Sequence, residues 1–147
     1  MTAPRLRWRA NQPALRSLTA AALVTDAIVH FQLAHRYDLN GQGGLSQGEL
    51  FRVEAGVAVL AAALVLLAAN RITWALAAVI AASAFGAVLV STYVDIGAVG
   101  PVPDMFEPYW YPSKVVAALA EGAGTLTALT GLGVSSYARG GRTKPDW

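Results

Sequence analysis

Residues 55–69 carry no charged side chain, and after Asn70 and Arg71 a second uncharged run covers residues 72–94. Nothing else in the chain constrains its fold so tightly. A helix rises about 1.5 Å per residue, so about 20 apolar residues cross the hydrocarbon core of a bilayer. Two such runs separated by two residues must be antiparallel neighbours. Inside lipid a chain satisfies its own backbone hydrogen bonds most simply as helix. Less apolar stretches of similar length lie on either side. The predicted spans are therefore 15–34, 50–69, 72–94 and 115–137, an all-α, four-transmembrane-helix antiparallel bundle.

Composition agrees with a single membrane domain. Of 147 residues, 55% are hydrophobic and only 14% charged, against about a quarter charged in a soluble domain; the mean hydropathy is +0.46. Residues 1–13 form a basic lead-in, 14–137 the membrane domain with loops at 35–49 and 95–114, and 138–147 a basic tail. The first span carries Arg16 and Asp26, which argues against a cleaved signal peptide. In the second loop Pro101, Pro103, Pro108 and Pro112 forbid a continuous helix, and Phe106, Tyr109, Trp110 and Tyr111 suit a membrane interface. Gly124, Ala128 and Gly131 place small residues along the fourth span, where they allow close helix approach.

The pI near 9.2 does not signal nucleic-acid binding, because the basic residues gather at the chain ends rather than on one face. They orient the bundle instead. With both termini cytoplasmic, only Arg36, Arg52 and Lys114 of the 11 basic residues lie outside, as the positive-inside rule asks. The expected location is the plasma membrane, multi-pass. There are no cysteines, which excludes disulfides, thiolate zinc sites and iron–sulfur clusters.

Given that topology, Asp26, His30, Glu54 and Glu121 all fall in the outer half of the membrane. An ionisable group facing lipid costs roughly 2.5–3.5 kcal/mol at a helix centre, so these four are expected to point inward and meet. Asp26 and His30 are one helical turn apart and share a face, with Tyr37 further along it. Glu121 shares its face with Ala117, Gly124 and Thr125. A hydrogen-bonded structural network with Arg52 or Lys114 as counter-charge is one reading of the cluster; a ligand, ion or proton site is the other. His30 and His35 diverge by about 140° on a helix and cannot hold one metal together, whereas His30 with carboxylates from other helices offers a mixed nitrogen and oxygen site.

The loop at 38–49 has the spacing of a calcium-binding EF-hand loop. Asp38, Asn40, Gln42, Gly44, Ser46 and Glu49 stand at positions one, three, five, seven, nine and twelve, with Gly43 at the turn position. Gln42 is an unusual ligand there, and only two of the ligands are charged, so millimolar-type affinity is the most expected. The competing reading is a glycine-rich linker in which Ser46 and Glu49 form a helix-capping box. Calcium is the one cofactor the sequence suggests.

The segments around His30 to Tyr37, Gly44-Leu45-Ser46 through Glu49-Leu50-Phe51-Arg52-Val53-Glu54-Ala55, and Tyr93-Val94-Asp95 through Pro108-Tyr109-Trp110-Tyr111-Pro112 resemble a family of uncharacterised actinobacterial four-helix integral membrane proteins. That resemblance implies a shared topology and carries over no catalytic residue. Three function classes follow. A non-enzymatic accessory or scaffold component of the envelope, with a membrane-protein partner or a second copy of itself, is the leading expectation. An ion- or proton-linked transport component using Asp26, His30, Glu54 and Glu121 is the second. A quinone-linked oxidoreductase subunit of DoxX-like architecture, with His30 and Tyr37 against the quinone, is the third. No nucleophile, base and orienter arrangement supports hydrolysis.

Overall fold

Alanine-rich segments, two of them opened by capping boxes, fold as four long helices. The computed structural model describes residues 5–39 and 44–140, and side chains over 12–39 and 44–136. Helix α1 is Arg5–Ala34 and ends in a 3-10 turn, His35–Tyr37; α2 is Gln47–Ala68, α3 Arg71–Tyr93 and α4 Pro112–Gly140. Each contains a segment long and apolar enough to cross a membrane: Gln12–Tyr37, Gln47–Ala68, Arg71–Tyr93 and Pro112–Ser136. The predicted all-α four-helix bundle is found.

Helices α2 and α3 begin one to three residues earlier than hydropathy alone places them, because caps set their starts. Ser46 Oγ accepts from Glu49 N at 3.0 Å and Glu49 Oε2 accepts from Ser46 N at 2.7 Å. This is the capping box expected of the linker reading. Asn70 Oδ1 accepts from Ile72 N and Thr73 N at 2.8 and 3.2 Å, while Thr73 Oγ1 accepts from Asn70 N at 3.0 Å. A second capping box thus turns α2 straight into α3. Pro112 opens α4 at a position where its missing N–H costs nothing. Helix α1 starts at Arg5 and passes through Pro13.

Around the bundle α1 packs on α2 and α4, and α3 on α4 and α2, so α1 faces α3 across the diagonal. The core is a seam of small side chains, among them Ala58, Ala61, Ala77, Ala81 and Ala128, surrounding Leu23, Val65 and Trp74. A Cβ at Gly124 would touch both Ala22 and Ala81, which puts the small-residue face of α4 inward as expected. Large apolar residues such as Leu60, Leu67, Val79 and Leu126 are left on the outside.

The bundle has two unlike ends. The turn end holds Asn70; the loop end holds both long connections. There Leu45 N donates to Pro101 O at 3.0 Å and Glu107 N to Ser91 O at 2.7 Å, so the proline-rich segment is folded down onto the helices. It carries an isolated bridge between Val99 and Val102 and no helix, as its prolines require.

Candidate functional site: a buried Asp–His–Glu cluster

In the loop half of the bundle α1 and α4 bring three ionisable side chains together. Asp26 and Glu121 are each 1% exposed and His30 8%. One ligand atom from each lies within 4.8 Å of the others. The one-turn spacing on α1 sets His30 Nδ1 2.8 Å from Asp26 Oδ1 and 3.2 Å from the Asp26 carbonyl oxygen. With a carbonyl and a carboxylate oxygen as its neighbours, Nδ1 is assigned as the protonated ring nitrogen of the neutral imidazole. Glu121 arrives from the inward face of α4. Neither of its carboxylate oxygens has a hydrogen-bond partner, although Thr125 Oγ1 donates to its main-chain carbonyl at 2.7 Å.

Glu54 stands beside this triad rather than in it. It is half-buried on α2, lines the same cavity as His30, and its Oε1 is buried without a partner. Three of the four expected residues therefore meet directly and the fourth borders them. Both expected counter-charges are spent elsewhere. Arg52 NH1 and NH2 donate to Asp38 Oδ1 and Oδ2 at 2.7 and 2.8 Å. Lys114 Nζ donates to the Glu107 carbonyl at 2.5 Å and lies 3.8 Å from its carboxylate. The structure thus corrects the expectation that Arg52 or Lys114 neutralises the cluster: each finds a nearer acid at the loop end. Among the described residues no lysine or arginine pairs with Asp26, Glu54 or Glu121.

Two polar layers close the loop end over the cluster. In one, Glu107 gathers three donors: Tyr37 OH at 2.8 Å, Tyr111 OH at 3.0 Å and Lys114. Burial, the Tyr37 hydroxyl and the Glu107 charge push the Tyr111 phenol well above the ordinary tyrosine range. Sequence reading placed Tyr37 on the face of Asp26 and His30 but missed Glu107; its position among the loop aromatics was the only signal. In the other, the hydrogen-bonded Arg52 guanidinium holds Asp38 below the usual carboxylate range, with His35 a weaker contributor. His35 is exposed and lies 3.4 Å from Asp38, well apart from His30.

Of the six loop ligands expected for calcium, Asn40 and Gln42 lie outside the described residues. Asp38 is engaged by Arg52, Ser46 and Glu49 cap α2, and Gly44 packs against Pro101. Gly48 is where a side chain has no room. Any Cβ there would meet the Ala34 carbonyl and the Asp38 carboxylate.

Between α2 and α3, below the folded loop, lies a cavity of about 370 Å³. Its floor includes His30 and Glu54, and Phe51 lines one wall, with its ring edge-on to that of His30 at 5.2 Å. No family model matches the chain, and comparisons with curated proteins and with solved structures return no match either. The chemistry of the cluster therefore has to carry the functional argument.

Proposed function

We propose that this chain is a proton-linked component of a membrane transport process, in which Asp26, His30 and Glu121 hold and exchange the protons. In the proposed topology both termini are cytoplasmic, the membrane is the plasma membrane, and the loop half with its cavity faces outward. The observation that carries the reading is the triad: two carboxylates and a histidine, almost fully buried, converge with no lysine or arginine partner among the described residues. Two carboxylates in a low-dielectric interior repel each other and each is costly to bury as a charge. A mobile positive charge, a proton or a cation, relieves both costs. The His30 imidazole against Asp26, and the orphan oxygens of Glu121 close by, favour proton exchange.

This weighs against a purely structural or scaffold role, because close packing alone gives no reason to gather acids without a cationic partner. The quinone reading is weakened by Tyr37, whose hydroxyl is committed to Glu107.

The test is proton flux into liposomes that contain the purified protein and a trapped pH dye, driven by a potassium diffusion potential. The expected result is acidification that scales with protein and is lost in Glu121→Gln and Asp26→Asn. Flux equal to that of empty liposomes, or undiminished in both variants, contradicts the proposal. Equilibrium dialysis with manganese and zinc separates the other chemistry of the same residues: stoichiometric metal lost in the same variants would replace the proton by a divalent cation.

A further inference from the structure

The cavity beside the triad has a chemistry of its own. It opens on the outside of the bundle: Val53, on one lip, is 63% exposed, and Ser83 and Ala87, on the other, are exposed as well. In a membrane this is a lateral opening to lipid. The walls are mainly apolar, with Phe51 from α2 and Ala84 and Val88 from α3. Met105 and Glu107 of the folded loop close the top.

The polar hydrogens of the lining favour a ligand that donates. The hydroxyl donors that line the cavity are all committed: Ser83 to Ile80 O at 2.9 Å, Ser91 to Val88 O at 3.0 Å and Tyr111 to Glu107 at 3.0 Å. Lys114 is tied to Glu107, and His30 Nδ1 to Asp26. Gln47, the lining amide, is engaged as well, and among the described lining groups an open acceptor is Glu54 Oε1, buried and without a partner. The charges point the same way, since Lys114 and Glu107 offset each other while Glu54 has no cation among the described residues. A ligand that only accepts hydrogen bonds, such as a quinone carbonyl, would face acceptor to acceptor, which is costly in a buried site.

We infer that the cleft between α2 and α3 binds a lipophilic organic cation, an amine or ammonium carried on an apolar body, with Glu54 as its counter-charge. The apolar body reaches the cleft from the lipid between the α2 and α3 lips, and the cationic head lies against Glu54 with the Phe51 ring within reach of a cation–π contact. The inference builds on the proton-linked reading by naming the substrate class, yet binding itself needs only the cleft. A cation at Glu54 and protons on Asp26, His30 and Glu121 compete for the same negative charge, so uptake of one favours release of the other.

The experiment compares three probes that share one apolar body, measured by isothermal titration on the full chain in detergent at neutral pH: 1-adamantylammonium, neutral adamantan-1-ol and adamantane-1-carboxylate. The ammonium is expected to bind about tenfold or more tighter than the alcohol, the usual worth of a hydrogen bond to a charged group, and the carboxylate is expected not to bind. Glu54→Gln, close to isosteric, should erase the ammonium advantage and leave the alcohol unchanged. Ala87→Leu, at the exposed lip, should weaken both ligands by narrowing the cleft, which keeps the assignment testable if Glu54→Gln does not fold. Equal binding of ammonium and alcohol, ammonium binding that survives Glu54→Gln, or no binding of any probe overturns the inference. Ammonium binding lost in Glu54→Gln, beside liposomes that carry no protons, sinks the proton-linked reading and leaves the cleft assignment standing; proton flux lost in Glu121→Gln, beside a cleft that ignores charge, does the reverse.

Discussion

The two halves of this bundle solve opposite problems with the same four helices. In the turn half, small side chains let the helices close around one large one. Trp74 is fully buried, its Nε1 has no partner, and Gly131 faces its ring so closely that a Cβ there would come within 2.5 Å of it. Thr19 Oγ1 donates to Thr127 Oγ1 at 2.8 Å across α1 and α4. Among the described residues no acidic side chain lies there; its charged groups are arginines, Arg16 and Arg71. In the loop half the same helices separate around a cavity and hold three buried ionisable groups without a lysine or arginine partner among the described residues. The difference teaches where the fold is spent on packing and where it is spent on chemistry: lipid supplies no hydrophobic drive between helices, so the tight half holds the loose half in place.

That division predicts effects of opposite sign. The largest belongs to the turn half: Trp74→Ala should cost about 3–5 kcal/mol through lost packing, read as the unfolding midpoint in detergent. A cost under about 1 kcal/mol would mean that the turn half is not the clamp it looks like. Gly131→Ala should cost about 1–3 kcal/mol by forcing the Trp74 ring aside. In the loop half, Glu121→Met should go the other way and stabilise by about 1 kcal/mol or more, because replacing buried charge by apolar volume is often favourable. Destabilisation by Glu121→Met would show that the triad is a structural network and would erase the contrast.

Smaller effects sharpen the loop end. Ser46→Ala removes the cap of α2 and should cost about 1 kcal/mol, checked by the same unfolding measurement. The Asp38–Arg52 pair gives a pH signature. The folded-state pKa of Asp38 is depressed, so its contribution is present above the unfolded value of about 4 and is lost as pH falls through the folded value. The apparent midpoint should therefore decline in acid below about pH 4, and Asp38→Asn should flatten that decline. An equal decline in the variant would assign the acid sensitivity to other carboxyls.

Much of this was legible in the sequence because it is local. Span length, the two-residue turn at Asn70 and Arg71, the Ser46–Glu49 capping box and the shared face of Asp26 and His30 all follow from spacing along one helix or one turn. The inward aim of Glu121 followed from its small neighbours Ala117 and Gly124. What spacing could not supply was partner choice between distant segments. Arg52 was a plausible counter-charge for the cluster until the end of α1 placed Asp38 against it. Lys114 was another until the second loop folded Glu107 onto it and, with it, onto Tyr37, 70 residues away along the chain. Those two captures leave the triad without a cation among the described residues, and the loop adds Met105 and Glu107 to the cavity between α2 and α3. Neither has a trace in hydropathy.

The most direct test of the central claim is an infrared titration of the reconstituted protein, following the carboxyl C=O stretch across bulk pH in wild type, Glu121→Gln and Asp26→Asn. The account predicts a buried carboxyl band that grows and fades reversibly with pH, shifts in heavy water and is lost or altered in both variants, because Asp26 and Glu121 share one proton-exchanging site. A spectrum with no such band, or one that both variants leave unchanged, would contradict it.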